Sequence, residues 1–161
     1  MRPYLEYAQA VWSPSLWKLV DMLEDFQKRA TKLVDGFGAL EYEERLRRLE
    51  LPTLVYRRAR GDMIEAFKHF HSYDSALIPE VFKRQRYGIR NNGCQLVWRE
   101  PKDGVRGIQA NSYYYRIIKS WNELPSEVVN ASTVNSFKAR LDHAWKNLPT
   151  KYNPKPSASG S

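Results

Sequence analysis

The chain has 161 residues, 42% apolar and 27% charged, enough to bury one compact core or a small helical subdomain plus a second piece. That mixture excludes a wholly disordered chain and a collagen-like one, and no apolar run nears the roughly 20 residues that span a bilayer. The net charge of +8 is unevenly spread: residues 83–120 hold nine Lys/Arg against two acids, which is seven of the eight surplus charges.

The opening Met1-Arg2-Pro3-Tyr4-Leu5-Glu6 carries charge where a secretory leader would turn apolar, so an intracellular chain, nuclear or cytoplasmic and not secreted, is expected. The lone Cys94 excludes an internal disulfide and zinc sites built on two thiolates. His69 and His71 stand two apart and point in different directions on a helix, so no metal site is expected.

In chain order, residues 4–12 carry Leu5, Ala8 and Val11 or Trp12 at helical spacing, and Ser13-Pro14 ends that segment. A helix placed this close to the start is what a chain beginning inside a larger fold presents. Residues 15–34 form the clearest helix, with Leu16, Leu19, Leu23, Phe26, Ala30 and Leu33 as an inward seam and Lys28, Arg29 and Lys32 among its solvated residues. Gly36 falls where a left-handed turn would close it. Residues 40–50 read as a short helix with Leu40, Tyr42, Leu46 and Leu49 inward and Glu43, Glu44, Arg45, Arg47 and Arg48 outward. After Leu51-Pro52, Thr53 is placed to cap a helix over about 54–72, whose buried face is Val55, Ala59, Met63, Ala66, Phe67 and Phe70. Arg57, Arg58 and Arg60 crowd the positive end of that helix, a cost that an anion bound there would offset.

Beyond Tyr73 loop-forming residues dominate. Residues 94–98 and 105–109 flank Pro101-Lys102-Asp103-Gly104, which reads as a hairpin. A helix follows through Trp121, with Tyr114, Ile117 or Ile118 and Trp121 inward. Ser132 is the expected cap of a last helix over about 133–147, with Val134, Phe137, Leu141, Ala144 and Trp145 as its stripe. Residues 148–161, rich in Pro and Ser, read as a flexible tail. The expected fold is mainly α: a helical bundle, then an α+β piece with one small β-hairpin.

No phosphate loop, dinucleotide fingerprint or nucleophile motif occurs, and the paired acids Glu24-Asp25 and Glu43-Glu44 sit on helices that explain them as surface charge. No catalytic residue, metal ligand or cofactor is therefore expected. Binding remains. Tyr87, Trp98 and Tyr113–Tyr115 are interleaved with the nine bases. Bases neutralise phosphates and release counterions, while flat side chains stack unpaired bases at about 1–3 kcal/mol each.

Seven segments, Arg2-Pro-Tyr-Leu-Glu-Tyr7 with Ala10-Val-Trp-Ser-Pro14, then residues 23–34, Tyr42-Glu-Glu-Arg-Leu46, residues 51–58, Arg60-Gly-Asp-Met-Ile64, Ser120-Trp-Asn-Glu-Leu-Pro125 and residues 128–142, occur in one order across residues 2–146. In that order and spacing the chain resembles the downstream end of reverse transcriptases from LINE-type (non-LTR), jockey-like retrotransposons. The resemblance implies that residues 1–38 correspond to the thumb, a helical pair that grips the template–primer duplex. Residues 39–147 then correspond to the C-terminal region after it, containing the basic segment 83–110. The family's catalytic motif ends in two adjacent aspartates. This sequence has no Asp-Asp pair, so the polymerase site does not carry over, and the family's endonuclease lies further upstream of the region this chain resembles.

The expected function is thus that of a non-catalytic nucleic-acid-binding fragment of an RNA-directed DNA polymerase. Its partner would be RNA or an RNA–DNA duplex, with the missing palm in a longer parent chain as a second partner and neither membrane nor small-molecule substrate involved. Arg57, Arg58, Lys83, Arg84, Arg86, Arg90, Arg99, Lys102 and Arg106 are the candidate phosphate contacts, and Tyr87 and Trp98 the candidate stacking residues. The alternative is a helical protein–protein interaction module, or a domesticated or degenerate retroelement fragment, with no nucleic-acid role.

Overall fold

The computed structural model describes residues 17–71, 82–84, 96–98 and 113–155. It is mainly helical, and no helix among the described residues is long and apolar enough to cross a membrane. The expected helix over residues 4–12 lies outside the described residues. By its internal contacts the chain divides into two units, residues 1–59 with 146–161 and Arg60–Trp145.

The first unit contains α1 (Trp17–Lys32), α2 (Tyr42–Arg48), the opening of α3 (Leu54–His71) and a 3₁₀ turn at Pro149–Lys151. Sixteen residues without Gly or Pro make α1 helical. It is followed by turns in which Phe37 N–H donates to Val34 C=O at 3.0 Å and Gly36 takes φ +79°, the left-handed geometry expected of it. Exposed Glu43–Arg47 and Glu44–Arg48 pairs, four residues apart, flank α2. Its end is a Schellman turn. Leu51 N–H reaches Leu46 C=O at 2.9 Å and Glu50 N–H reaches Arg47 C=O at 3.2 Å, with Glu50 left-handed at φ 49°. Thr53 caps α3 as expected, its hydroxyl oxygen accepting from Tyr56 N–H at 3.1 Å.

Thr53 also tethers the end of the chain. Its N–H donates to Lys151 C=O at 2.9 Å and its hydroxyl to Thr150 C=O at 2.6 Å. Lys155 Nζ lies 2.6 Å from Asp21 Oδ2. Residues 148–155, read from composition as part of a flexible tail, are held by hydrogen bonds, because the Pro149 turn presents carbonyls that Thr53 satisfies.

The face that α1 buries corrects the sequence reading. Glu24, Gln27 and Thr31 are buried, at 1%, 8% and 4% exposure, whereas Phe26 is 57% and Leu33 85% exposed. Ala30 is exposed and Leu23 only half-buried. None of the seam residues from Leu23 to Leu33 is fully buried, because hydrogen bonds outrank apolar burial here. Glu24 accepts from Leu54 N–H at 2.9 Å, Gln27 donates to Pro52 C=O at 3.1 Å, and Thr31 accepts from Arg45 Nε at 3.2 Å. Arg45, expected outward, is 3% exposed, beside the fully buried Leu46.

The second unit holds the rest of α3, β1 (Phe82–Arg84), β2 (Leu96–Trp98), α4 (Tyr113–Asn122), α5 (Ser126–Val129) and α6 (Val134–Ala144). Its core is aromatic. Phe67 stacks on Phe137 at 4.3 Å between centroids, Trp121 lies 6.0 Å from Phe137, and Phe70 meets Trp121 at 5.1 Å. Met63, Ala66, Ile117, Val128, Val129 and Leu141 fill the remainder, each at 1% exposure or less. Thr133, one residue after the expected Ser132, caps α6 by accepting from Ser136 N–H at 3.1 Å. The strands β1 and β2 pair antiparallel, Phe82 opposite Trp98, Lys83 opposite Val97 and Arg84 opposite Leu96. Asn122 fixes β2 to α4, its side chain donating to Leu96 C=O at 3.0 Å and accepting from Leu96 N–H at 2.9 Å. The strand expected to partner 94–98 in the hairpin, 105–109, lies outside the described residues, and the pairing observed for β2 is with β1.

Candidate nucleic-acid interface

The sequence-derived candidates are differently placed. Lys83 and Arg84 lie on β1 and Trp98 ends β2, across from Phe82 in register. Arg86, Tyr87, Arg90, Arg99, Lys102 and Arg106 lie outside the described residues. Arg57 and Arg58 sit on the first turns of α3, in the first unit.

Those two arginines, and Arg60, have internal engagements. Arg57 is half-buried and its Nη1 donates to Gln27 Oε1 at 3.3 Å. Arg58 is 7% exposed, donates through Nε to Leu54 C=O at 3.1 Å and feels the Glu24 charge. Arg60, in the second unit, grips Asp142 with two hydrogen bonds, Nε to Oδ1 at 2.6 Å and Nη2 to Oδ2 at 2.8 Å. The anion that the start of α3 calls for is supplied by the chain itself. The Glu24 carboxylate accepts from Leu54 N–H, and a second hydrogen bond from Val55 N–H also favours its charged form. Arg58 is thus a buried residue of the first unit, engaged with Leu54 C=O and the Glu24 charge.

Glu24 anchors a polar network. Burial pushes its carboxyl above the usual range, opposed by hydrogen bonds from Tyr42, Leu54 and Val55 and by the Arg58 charge. Tyr42 donates its hydroxyl to Glu24 Oε1 at 2.5 Å and accepts from Gln27 Nε2 at 3.2 Å. Burial, and then the Glu24 hydrogen bond, raise the Tyr42 hydroxyl above the ordinary tyrosine range, so it stays a donor.

Beside this network, α1 and residues 38–45 enclose an open pocket of about 480 Å³. Lys28, Arg29, Lys32 and Arg45 line it together with Asp25, Glu41 and the Tyr42 ring. Lys28 Nζ and the Arg45 guanidinium lie over that ring, 5.6 and 5.5 Å from its centroid. Lys28 also pairs with Asp25 at 3.3 Å. The sequence reading did not single out these bases. The i, i+4 spacing of Lys28 and Lys32 placed them on one face, but a run of five charges in 43–48 gave no sign that Arg45 alone turns inward. Among the described residues no group of acids, histidines or cysteines could hold a metal ion.

The chain matches no family model, no curated protein and no solved structure.

Proposed function

We propose that the chain is a non-catalytic nucleic-acid-binding fragment, similar to the thumb and C-terminal region of a LINE-type reverse transcriptase, that grips the backbone of RNA or an RNA–DNA duplex. The observation that carries the proposal is the charge asymmetry, nine bases to two acids over residues 83–120 in a chain otherwise near neutrality. Lys83 and Arg84 lie on a strand whose neighbour ends in Trp98, so two bases and one aromatic fall on a single pair of strands. The four bases around the first-unit pocket add a second positive surface that sequence alone did not single out.

Replacing Lys83, Arg84, Arg86, Arg90, Arg99, Lys102 and Arg106 with glutamine tests the assignment. Affinity for an RNA hairpin should fall by orders of magnitude, and its dependence on salt should flatten. Unchanged affinity and salt dependence would place binding elsewhere or nowhere.

A second reading, a helical protein-interaction module, is favoured by the exposed apolar residues Met22, Phe26, Leu33 and Val34, which cluster along α1 and its following turn. Self-association that rises with concentration, without RNA affinity, would favour it over the first.

A further inference from the structure

We propose that the pocket between α1 and residues 38–45 is a binding site for a phosphate group, with Arg45 at its base and Lys28, Arg29 and Lys32 along its wall. The proposal rests on the nucleic-acid reading only for the source of that phosphate, which is either a backbone phosphodiester or a free phosphate or pyrophosphate.

Arg45 is the buried base of this pocket. Its side chain is 3% exposed, and a buried cation is stable only where its donors and its charge are answered. Nε donates to the Thr31 hydroxyl at 3.2 Å, Nη1 donates to Leu40 C=O at 2.5 Å, and the ring face of Tyr42 covers the guanidinium. Both acceptors are neutral. Among the described residues no carboxylate pairs with Arg45 and nothing accepts from Nη2, the one guanidinium nitrogen left for the pocket it lines. The buried acid of this unit, Glu24, is committed elsewhere, its two oxygens accepting from Tyr42 and Leu54. The guanidinium therefore carries an unanswered charge and a spare donor at an open pocket.

The wall of the pocket adds to that charge. Arg29 and Lys32 are exposed and form no ion pair among the described residues. Of the two acids facing the pocket, Asp25 is engaged by Lys28 and Glu41 is exposed at the rim. Four bases against two acids leave an excess of positive charge over a site with a fixed guanidinium at its base. Donors arriving from several directions suit the spread oxygens of a phosphate better than the two oxygens of a carboxylate. Tyr42 adds no donor, its hydroxyl being used by Glu24.

The test follows the Arg45 Nε–H resonance by NMR in the full chain, titrated separately with inorganic phosphate, pyrophosphate and an RNA hairpin. Saturable shifts of Arg45 and of the Gly38 and Ala39 amides with pyrophosphate are expected. The Lys28→Gln/Lys32→Gln double variant changes only pocket-wall lysines and keeps the Arg45 fold contacts, and it should weaken that binding tenfold or more. Shifts with both pyrophosphate and RNA assign the site to a backbone phosphate. Shifts with pyrophosphate alone assign it to a free phosphate and stand even if RNA does not bind. RNA binding that leaves Arg45 unmoved, with no response to pyrophosphate, overturns the pocket while sparing the nucleic-acid reading. Equal binding by wild type and double variant overturns it as well.

Discussion

Glu24 shows how one residue can hold several elements. A carboxylate from α1 receives the free N–H at the start of α3, the Tyr42 hydroxyl from α2 and the charge of Arg58. Because burial raises its folded-state pKa above 4.5, protonation favours the folded chain. The Glu24 contribution to stability is therefore full below that value and is lost as pH rises through the folded pKa. The Glu24→Gln variant, which mimics the protonated form, should compare more favourably with wild type at pH 7 than at pH 4.5 in urea denaturation. A variant whose stability relative to wild type stays constant with pH, or improves toward acid, contradicts this account. Glu50 offers a second test. It holds a left-handed conformation at φ 49° that glycine adopts without strain, so Glu50→Gly should raise the unfolding free energy by up to about 1 kcal/mol. A loss of stability in the same assay would show that the Schellman turn does not depend on that geometry. At this scale the Thr53 cap and the Gly36 turn were legible, because each rests on one residue's own chemistry. The inward turn of Arg45 was not, because it depends on Thr31 and Leu40, 14 and 5 residues away.

Among the elements, α1 separates pattern from packing. Its helical nature follows from its composition, but none of the seam residues from Leu23 to Leu33 that periodicity assigns to the interior is fully buried. The polar face is buried because its neighbours present a free N–H, a carbonyl and a guanidinium that require partners. Phe26→Ser should accordingly change stability by no more than about 0.5 kcal/mol, as surface substitutions do. Phe137, fully buried against Phe67 and Trp121, should cost about 3–5 kcal/mol when truncated to alanine. Chemical denaturation of the two variants checks both values, and a loss at Phe26 as large as at Phe137 would restore the inward seam. In the second unit the pattern holds in part. Met63, Ala66 and Phe67 of α3 and Phe137 and Leu141 of α6 are buried as read, since apolar side chains fill that core, while Ala144 of the expected stripe is exposed and Val134 and Trp145 are half-buried.

Across the whole molecule, the mainly helical class follows from the sequence. The first unit includes residues from the far end of the chain, and contacts such as Thr53 with Thr150 and Asp21 with Lys155, 97 and 134 residues apart, leave no local signature. The candidate interface was legible as charge, not as geometry. Composition identifies the basic segment over residues 83–120, whereas the burial of Arg58 and Arg45 rests on hydrogen bonds that composition does not show. The central claim is that this charge grips a nucleic-acid backbone. Fluorescence anisotropy of a labelled RNA hairpin and an RNA–DNA duplex, titrated at about 50 and about 200 mM salt, tests it most directly. If six to ten phosphates are neutralised, affinity should fall by about 10³–10⁵ across that range. Absence of binding at the lower salt, or an affinity indifferent to salt, would contradict it.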